Sequence, residues 1–306
     1  MEIVFKENFV ERYKNLTDFD IFKEITVKEL RRSIRVNTLK ISINELKSRL
    51  KEKWDLEQIP WCKEGFFIRD VKGERKDIGN LMEHSLGYFY VQEAASMIPP
   101  IILEPGENDI ILDMAASPGS KTTQIAALME NKGLIVANDF KYDRIKALGI
   151  NLQRCGVSNA VITLMDGLRI KNFEFDKILL DAPCSGTGTI RKSLKTLKIY
   201  NTKMITKLSN MQKRLIENAF LNLKKGGILV YSTCSLEPEE NEGVINHLLN
   251  KFENVKIGKI NININKSPAI MEFNNETYHE EIGNCLRLWP QDNDTEGFFV
   301  AKIIKN

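Results

Sequence analysis

Five cysteines stand in this chain, at positions 62, 155, 184, 234 and 285. Two of them follow apolar runs that place a thiol at a strand end. Cys184 lies in Asp181-Ala-Pro-Cys-Ser-Gly-Thr-Gly188, after Lys177-Ile-Leu-Leu180, and Cys234 lies in Tyr231-Ser-Thr-Cys-Ser-Leu236, after Gly227-Ile-Leu-Val230. Short apolar runs bounded by Gly or Pro suit a parallel sheet covered on both faces. Such sheets bind ligands in the crevice beyond the carboxyl ends of their strands. The two sulfurs are therefore expected at one rim. A thiol with an unperturbed pKa of about 8.5 is partly thiolate at neutral pH and already a competent nucleophile. Cys62, Cys155 and Cys285 read as small buried hydrophobes. No two cysteines have C-x-x-C spacing, which argues against zinc and against a disulfide framework, and a reduced, cytoplasmic setting is expected.

A second group of residues reads as a cofactor site. Acidic residues end three successive strands, Asp113, Asp139 and Asp166, and a turn of small residues, Ala115-Ala-Ser-Pro-Gly-Ser120, follows the first of them. The turn is neither G-x-G-x-x-G nor a P-loop, since Ser120 precedes Lys121 and Ala115 stands where a first Gly belongs. A dinucleotide and a nucleoside triphosphate are thus disfavoured. A carboxylate after the second strand suits two ribose hydroxyls, and one after the third suits an exocyclic amine such as adenine N6. The turn lets backbone N–H groups approach a carboxylate. Any single Asp here could be a helix N-cap. Three in register with the turn describe a nucleoside carrying an amino-acid tail, S-adenosyl-L-methionine.

A methyl donor beside a nucleophilic thiol points to carbon chemistry. Cytosine C5 is a poor nucleophile, but a thiolate added at C6 makes C5 enamine-like and able to take a methyl group. A base must then remove the C5 proton so that the thiol can leave. Asp181, protonated or sharing a proton with ring N3, would stabilise charge on the ring. Amino-methyl transfer usually goes with an Asn/Asp-Pro-Pro-aromatic turn, and here the turn is Asp181-Ala-Pro-Cys184.

These residues need a frame. From Asp109 onward, strand, turn and helix alternate: strands at 110–112, 133–137, 160–164 and before each cysteine, with helices at 121–129, 142–155 closed by Gly156, 205–223 and 239–252. Strands near 255–262 and at 298–304 complete an α/β, doubly wound, mostly parallel sheet whose last strand is antiparallel. Residues 261–275, rich in Asn, read as a loop. Ahead of this domain, 91–306, residues 1–90 form a small α/β unit. Its helical spacing over 5–25 breaks at Thr17-Asp18, a strand covers 34–39, Ser42 and Glu45 are spaced as a capping box, and a hairpin runs through 66–69. Tyr88–Met97 leads into a helix that Pro99-Pro100 should terminate or kink.

The 306 residues allow one large domain or a large and a small one; 42% are hydrophobic and 28% charged, and the formal charge is +3. No run of about 18 apolar residues occurs, so no membrane span is expected, and the first residues do not read as a secretory signal. The modest charge permits a local basic face without demanding one.

The motifs together resemble the Nol/Nop/Sun family of RNA cytosine-5 methyltransferases, and more narrowly its short archaeal members, over nearly the whole chain. Arg35-Val-Asn-Thr-Leu-Lys40 resembles the N-terminal motif, and Tyr90-Val-Gln-Glu-Ala-Ala-Ser96 the motif before the first strand, with Glu93 where Asp is commoner. Asp113-Met-Ala-Ala-Ser-Pro-Gly-Ser-Lys-Thr122 resembles the cofactor loop, with Ser117 and Ser120 for the commoner Ala and Gly. The two cysteine stretches, with Pro238-Glu-Glu-Asn-Glu242, carry the resemblance furthest; Leu288-Trp-Pro290 and Gly297-Phe-Phe299 match the closing motif, where Gln291 and Asn293 replace imidazole-bearing residues. The resemblance implies a Rossmann-like class I methyltransferase. It makes Cys234 the nucleophile, with Cys184 assisting product release. It lines the cofactor or base pocket with Ala115, Ala116, Ser117, Pro118, Gly119, Ser120, Lys121, Asp139, Arg144, Asp166 and Asp181.

The implied substrate is RNA, transfer RNA ahead of ribosomal RNA, acted on by a monomer. A flipped or unpaired cytosine is needed, because the thiol cannot reach a stacked base. Arg191, Lys192, Lys195, Lys198 and Lys203 are a candidate phosphate track, as are Arg31, Arg32, Arg35 and Lys40; read alone, the first run is more often a solvated face, its place beside the catalytic rim evening the two readings, and the second is at least as often a solvated strand edge.

Overall fold

The protein, seen here as a computed structural model, is described over residues 5–74 and 77–306. Residues 1–4 and 75–76 of the expected N-terminal unit lie outside that range. Helices α1 (Glu7–Lys14) and α2 (Phe19–Val27) are separated where the sequence predicts a break. Asp18 causes it, accepting hydrogen bonds from the Asp20 and Ile21 amides as the N-cap of α2. The aromatic face of this pair, Phe9, Tyr13 and Phe22, packs on Tyr200, Leu236 and Trp289. The first two helices therefore lean on the large domain rather than on the small sheet that follows them.

That sheet is antiparallel, in the order β2-β3-β1-β4. Its strands are β1 (Ser33–Val36), β2 (Trp54–Gln58), β3 (Gly65–Asp70) and β4 (Phe89–Val91). Helix α3 (Ile43–Leu50) covers it and opens with the Ser42–Glu45 capping box; α4 (Met82–Ser85) precedes β4. β1 is shorter than predicted, because Asn37 turns inward and donates to the Gly87 and Cys155 carbonyls. One expectation is reversed. Pro99 and Pro100 lie in the first turn of α5 (Ile98–Leu103) instead of ending a helix. A first-turn residue has no intrahelical acceptor for its N–H, so proline costs nothing there and its fixed φ helps.

The large sheet has the order β10-β14-β9-β8-β5-β6-β7, with β13 also on β14. Its parallel strands are β5 (Ile110–Asp113), β6 (Leu134–Asp139), β7 (Ala160–Leu164), β8 (Phe175–Asp181) and β9 (Leu223–Thr233). β10 (Val255–Gly258) follows, and β11 (Glu272–Phe273) and β12 (Glu276–Thr277) make a small ribbon in an otherwise irregular Asn-rich stretch. β13 (Leu286–Leu288) and β14 (Phe298–Lys305) close the chain, and β14 runs antiparallel to β9, β10 and β13. Along β8 and β9, Ile178, Leu180, Leu229 and Tyr231 enter one core while Leu179 and Val230 enter another. Burial on both faces is what makes these strands read as unbroken apolar runs.

Helices α6 (Ser120–Leu128), α7 (Tyr142–Cys155), α8 (Lys195–Ile199), α9 (Thr202–Leu221), α10 (Glu242–Lys251) and α11 (Pro290–Asn293) complete the fold. Among the described residues no helix is long and apolar enough to cross a membrane. From β5 the chain moves to β6 and β7, then returns across β5 to β8 and β9. The strand order thus reverses between β5 and β8, and ligands bind at the carboxyl ends of strands at such a reversal.

Candidate active site

β8 and β9 are adjacent and parallel, with Asp181 opposite Ser232. This register decides the convergence of the cysteines. Cys184 stands three residues beyond Asp181 and Cys234 two beyond Ser232, so both loops leave the sheet side by side. Their sulfurs lie 3.4 Å apart, partly buried. The loops are fastened by the backbone: the Gly188 amide donates to the Cys234 carbonyl at 2.9 Å, and the Gly297 amide donates to the Gly188 carbonyl at 3.0 Å. A Cβ on Gly188 would stand 2.2 Å from the Gly297 carbonyl oxygen, so only glycine allows the three segments this contact.

Beneath the loops sits Glu240, fully buried. One carboxylate oxygen accepts from the Ser185 amide at 2.9 Å and from Gln212 Nε2 at 3.1 Å. The other accepts from the Ser185 and Ser235 hydroxyls. One residue after each cysteine is therefore held by a single side chain. Burial pushes the Glu240 carboxyl up, against the hydrogen bonds it accepts. Glu242 anchors the next turn through a buried bidentate pair with Arg287, at 2.7 and 2.6 Å. Both acids belong to the Pro238–Glu242 motif, which sequence reasoning singled out without assigning a role to any member. The signal available was a cluster of acids directly after an apolar strand, where carboxylates need partners.

Around the sulfurs the electrostatics are asymmetric. The hydrogen bond to Cys234, and then burial, push the Cys184 thiol well above the ordinary range. Cys184 is thus the partner that keeps its proton. Lys121 reaches from the start of α6 to Asp181, with Nζ 2.7 Å from Oδ2. Burial opposes its charge, but the Asp181 carboxylate more than compensates, and the ammonium is held above its usual range. Asp181 Oδ1 accepts from the Ser232 hydroxyl at 2.8 Å. Both Asp181 oxygens therefore accept hydrogen bonds, one from a cation, and the proton-donating capacity of this corner lies on Lys121. The side chain of Lys121, expected among the cofactor residues, reaches the catalytic rim.

The loop Ala115–Ser120 crosses the same crevice. Gly119, at φ 103°, forms the N-cap of α6 with no side-chain cap, so the first amides of that helix have no acceptor within it. Such an end suits a carboxylate. Asp139 is buried at the end of β6, accepting from the Lys141 amide at 3.0 Å and the Ser117 amide at 3.3 Å, with Arg144 3.6 Å away. Arg144 and Ser117 also exchange bonds: Nη2 donates to the Ser117 carbonyl at 2.7 Å, and the Ser117 hydroxyl donates to the Arg144 carbonyl at 2.9 Å. The serine is therefore accommodated. Asp166 caps a short turn, accepting from the Leu168 amide at 3.0 Å, with a second oxygen remaining. Asp113 is buried and accepts from the Thr122 hydroxyl at 2.6 Å, tying β5 to α6. Burial pushes its carboxyl up to about 7.

The candidate phosphate contacts divide. Arg191 is not a surface cation: its guanidinium pairs with Asp294 at 2.7 Å and donates to the Thr295 and Glu29 carbonyls. Lys192, Lys195, Lys198 and Lys203 are exposed. Arg35 is only 2% exposed, bonding Thr123 and the Ser120 carbonyl. It joins the small sheet to α6 and is withdrawn from any phosphate. Lys40 donates to two carbonyls, and Arg31 pairs with Asp294 at 2.9 Å, which leaves Arg32 as the exposed arginine of that run. Gln291 bonds Thr17, and Asn293 bonds the Asn265 backbone, so the closing motif is held structurally.

A mostly parallel sheet with an antiparallel final strand, a small-residue loop at its reversal point and an acid ending the next strand define a class I methyltransferase. A family model described as 16S rRNA methyltransferase RsmB/F matches residues 100–304, and one described as the N-terminal domain of 16S rRNA methyltransferase RsmF matches residues 5–94. The chain belongs to this RsmB/F (Nol/Nop/Sun) family of methyltransferases. It is similar to the tRNA (cytosine(49)-C(5))-methyltransferase of Pyrococcus abyssi, 47% identical over 98% of this chain and 96% of that one. It is also similar to ribosomal RNA small subunit methyltransferase F of Vibrio atlanticus, 47% identical over 91% of this chain, but it spans only 58% of that protein's length. Among solved structures, NSun6 from Pyrococcus horikoshii with SFG superposes with a TM-score of 0.86, at 29% identity over 99% of each chain.

Proposed function

We propose that this chain transfers a methyl group from S-adenosyl-L-methionine to C5 of cytosine in RNA, with transfer RNA as the substrate. The observation that carries the reading is the pair of sulfurs 3.4 Å apart beside the Lys121–Asp181 ion pair. The relatives support it: one that is matched over nearly all of both chains is a transfer-RNA cytosine-5 enzyme. The ribosomal reading rests on relatives named for small-subunit RNA, of which this chain spans little more than half. A catalytically silent RNA-binding factor would have no use for two converging thiols.

The residues fit the cofactor. The uncapped start of α6 suits its carboxylate, Asp139 its ribose hydroxyls, and Asp166 its adenine amine. Residues Ala115–Lys121, Arg144 and Asp181 complete the wall. A solved relative described with SFG, an analogue of this cofactor, supports the assignment. When bound, the cofactor supplies an electrophilic methyl group.

The chain's own residues do the rest. The Cys234 thiolate forms a bond to C6 of the flipped base, and the electron pair displaced moves through the ring toward N3 and O2. Lys121, oriented by Asp181, stabilises that charge. C5 then accepts the methyl group. Cys184, its own proton released to solvent once Cys234 is bonded to the ring, takes the C5 proton; the C5–H electron pair returns to the ring, and the C6–S bond breaks to restore the Cys234 thiolate. The sulfurs share one hydrogen bond, and it is Cys184 whose thiol that bond and burial push up. Residues 1–90 position the RNA and 91–306 carry the transfer; the enzyme works as a cytoplasmic monomer. Incubation of transfer-RNA and small-subunit ribosomal-RNA transcripts with labelled cofactor, followed by nucleoside analysis, tests this. Wild type should give 5-methylcytosine in transfer RNA and Cys234→Ala none; normal turnover by Cys234→Ala would overturn the reading.

A further inference from the structure

The chain between the two cysteine loops is one-sided in charge. Residues 182–216 hold eight Lys and Arg and no Asp or Glu. The whole chain has 44 basic and 41 acidic residues, so everything outside this stretch carries a formal charge of −5. Part of the excess is ordered on α9. The buried face of that helix is made by Ile205, Ser209, Gln212, Leu215, Ile216 and Ala219. At 3.6 residues per turn, Lys203, Lys207, Asn210 and Arg214 fall within an arc of about 60° on the opposite face, and all four are exposed. The row is about 17 Å long. Lysines elsewhere find acids, as Lys224 does in Asp176 and Lys251 in Glu217. Among the described residues, Lys203, Lys207 and Arg214 make no ion pair. Local electrostatics works against this row. The first turn of α9 holds Lys203 and no acid, at the end where the helix dipole disfavours a cation. Lys203 and Lys207, four residues apart, repel each other. Cations that their own helix disfavours call for an anionic partner.

The place of the row says which part of a substrate it meets. The Ser209 hydroxyl donates to the Glu239 carbonyl at 2.7 Å, and Gln212 Nε2 donates to the Pro183 carbonyl at 2.9 Å. Pro183 directly precedes Cys184, and Glu239 lies in the turn that follows Cys234. The inner face of α9 is thus bonded to both cysteine loops. α9 connects the parallel strands β8 and β9, so its first half stands at their carboxyl ends, where substrate enters. Its outer face lies one helix width, about 10 Å, farther out. That is too far for the reacting base and suits the chain that flanks it. The single aromatic residue of α9, Phe220, is buried, so the face offers nothing for bases to stack on. A row of cations without stacking groups grips phosphates and leaves sequence unread, which fits a paired arm whose bases are already stacked.

We propose that the outer face of α9, through Lys203, Lys207 and Arg214, docks the phosphate backbone of a paired arm of the substrate RNA, outside the nucleotide that is methylated. The inference rests on the RNA methyltransferase reading. Its test compares wild type with the triple variant Lys203→Gln, Lys207→Gln, Arg214→Gln. A control triple, Lys171→Gln, Lys225→Gln, Lys256→Gln, removes the same charge from exposed sites at the amino ends of β8 and β9 and on β10. Dissociation constants for a full transfer-RNA transcript and for a short single-stranded oligonucleotide are measured by fluorescence anisotropy over a range of salt, with melting checked throughout. Single-turnover methyl transfer is read at saturating transfer RNA. The α9 variant should bind transfer RNA about 10-fold more weakly and lower the slope of log Kd against log salt by about 2–3. Its affinity for the oligonucleotide and its rate at saturation should match wild type, and the control triple should change neither Kd nor slope. Should the triple fail to fold, each single variant should lower the slope by about 1, and unchanged slopes in folded single variants overturn the proposal. An unchanged slope in the triple, an equal loss in the control, or an equal loss on the oligonucleotide also overturns the docking surface. A slower rate at saturation with unchanged Kd overturns it as well. Wild type that binds transfer RNA but methylates none overturns the activity, while the Kd comparison still decides the surface.

Discussion

Replacing Glu240 with alanine should uncouple the two cysteine loops, and the size of the effect can be worked from its partners. Glu240 is fully buried and accepts from two fixed N–H donors, the Ser185 amide and Gln212 Nε2, and from two hydroxyls. A buried donor left without an acceptor costs about 1–3 kcal/mol. The two fixed donors therefore contribute about 2–6 kcal/mol. The Ser185 and Ser235 hydroxyls, 3.1 Å apart, can turn toward each other and add little. We expect Glu240→Ala to lose about 4 kcal/mol in urea denaturation at neutral pH. Glu240→Gln keeps one acceptor oxygen for the fixed donors and obliges the hydroxyls to accept instead, so it should lose about 1–2 kcal/mol. The sulfurs, no longer held in register, should transfer methyl groups about 100-fold more slowly in the alanine variant, since displacement of a reacting group by about 1 Å has that effect. Single-turnover transfer with labelled cofactor reads the rate. Stability within about 1 kcal/mol of wild type, together with an unchanged rate, would refute the claim that this side chain sets the geometry.

Two further outcomes are expected. Asp113 titrates near 7 in the fold against 3.8 when unperturbed, so the folded protein holds its proton more tightly; that stability is complete below 3.8 and is lost as pH rises through 7. Between about pH 5 and about pH 8 wild type should lose about 2–3 kcal/mol that Asp113→Asn retains, and parallel denaturation curves for the two proteins would contradict it. In differential alkylation of the folded protein Cys234 should react first. Burial pushes Cys62 up to about 12 and raises Cys155 and Cys285, and Cys184 is held protonated by its partner; labelling of Cys62 as fast as Cys234 would contradict it.

How far the residues alone reached depended on whether local pattern or tertiary partnership decided the outcome. The parallel strands were legible because burial on both faces leaves an uninterrupted apolar run, and α7 because its periodicity ends at Gly156, which takes the left-handed C-cap at φ 73°. The capping box at Ser42 was likewise a local feature. Pro99-Pro100 misled because a proline pair reads alike at a helix's start and just past its end, and only packing decides which. Arg35 and Arg191 looked like surface cations because charge run by charge run nothing distinguishes them. Each is buried by partners far along the chain, Thr123 for one and Asp294 for the other. The rim itself was readable as two strand ends with cysteines. The Asp181–Ser232 register that makes them meet was not, nor was the buried Glu240 beneath them. Lys121 was placed with the cofactor by its position in the loop, while its length carries the ammonium to Asp181.

The central claim, that Cys234 bonds the base and Cys184 frees it, has a direct measurement. Cys184→Ala enzyme incubated with transfer RNA and cofactor, then run on a denaturing gel and digested for mass spectrometry, should show a covalent protein–RNA species whose nucleotide is attached to the peptide bearing Cys234. Absence of that species in Cys184→Ala would remove the role given to Cys184, and an adduct formed by Cys234→Ala, or attached elsewhere, would contradict the mechanism.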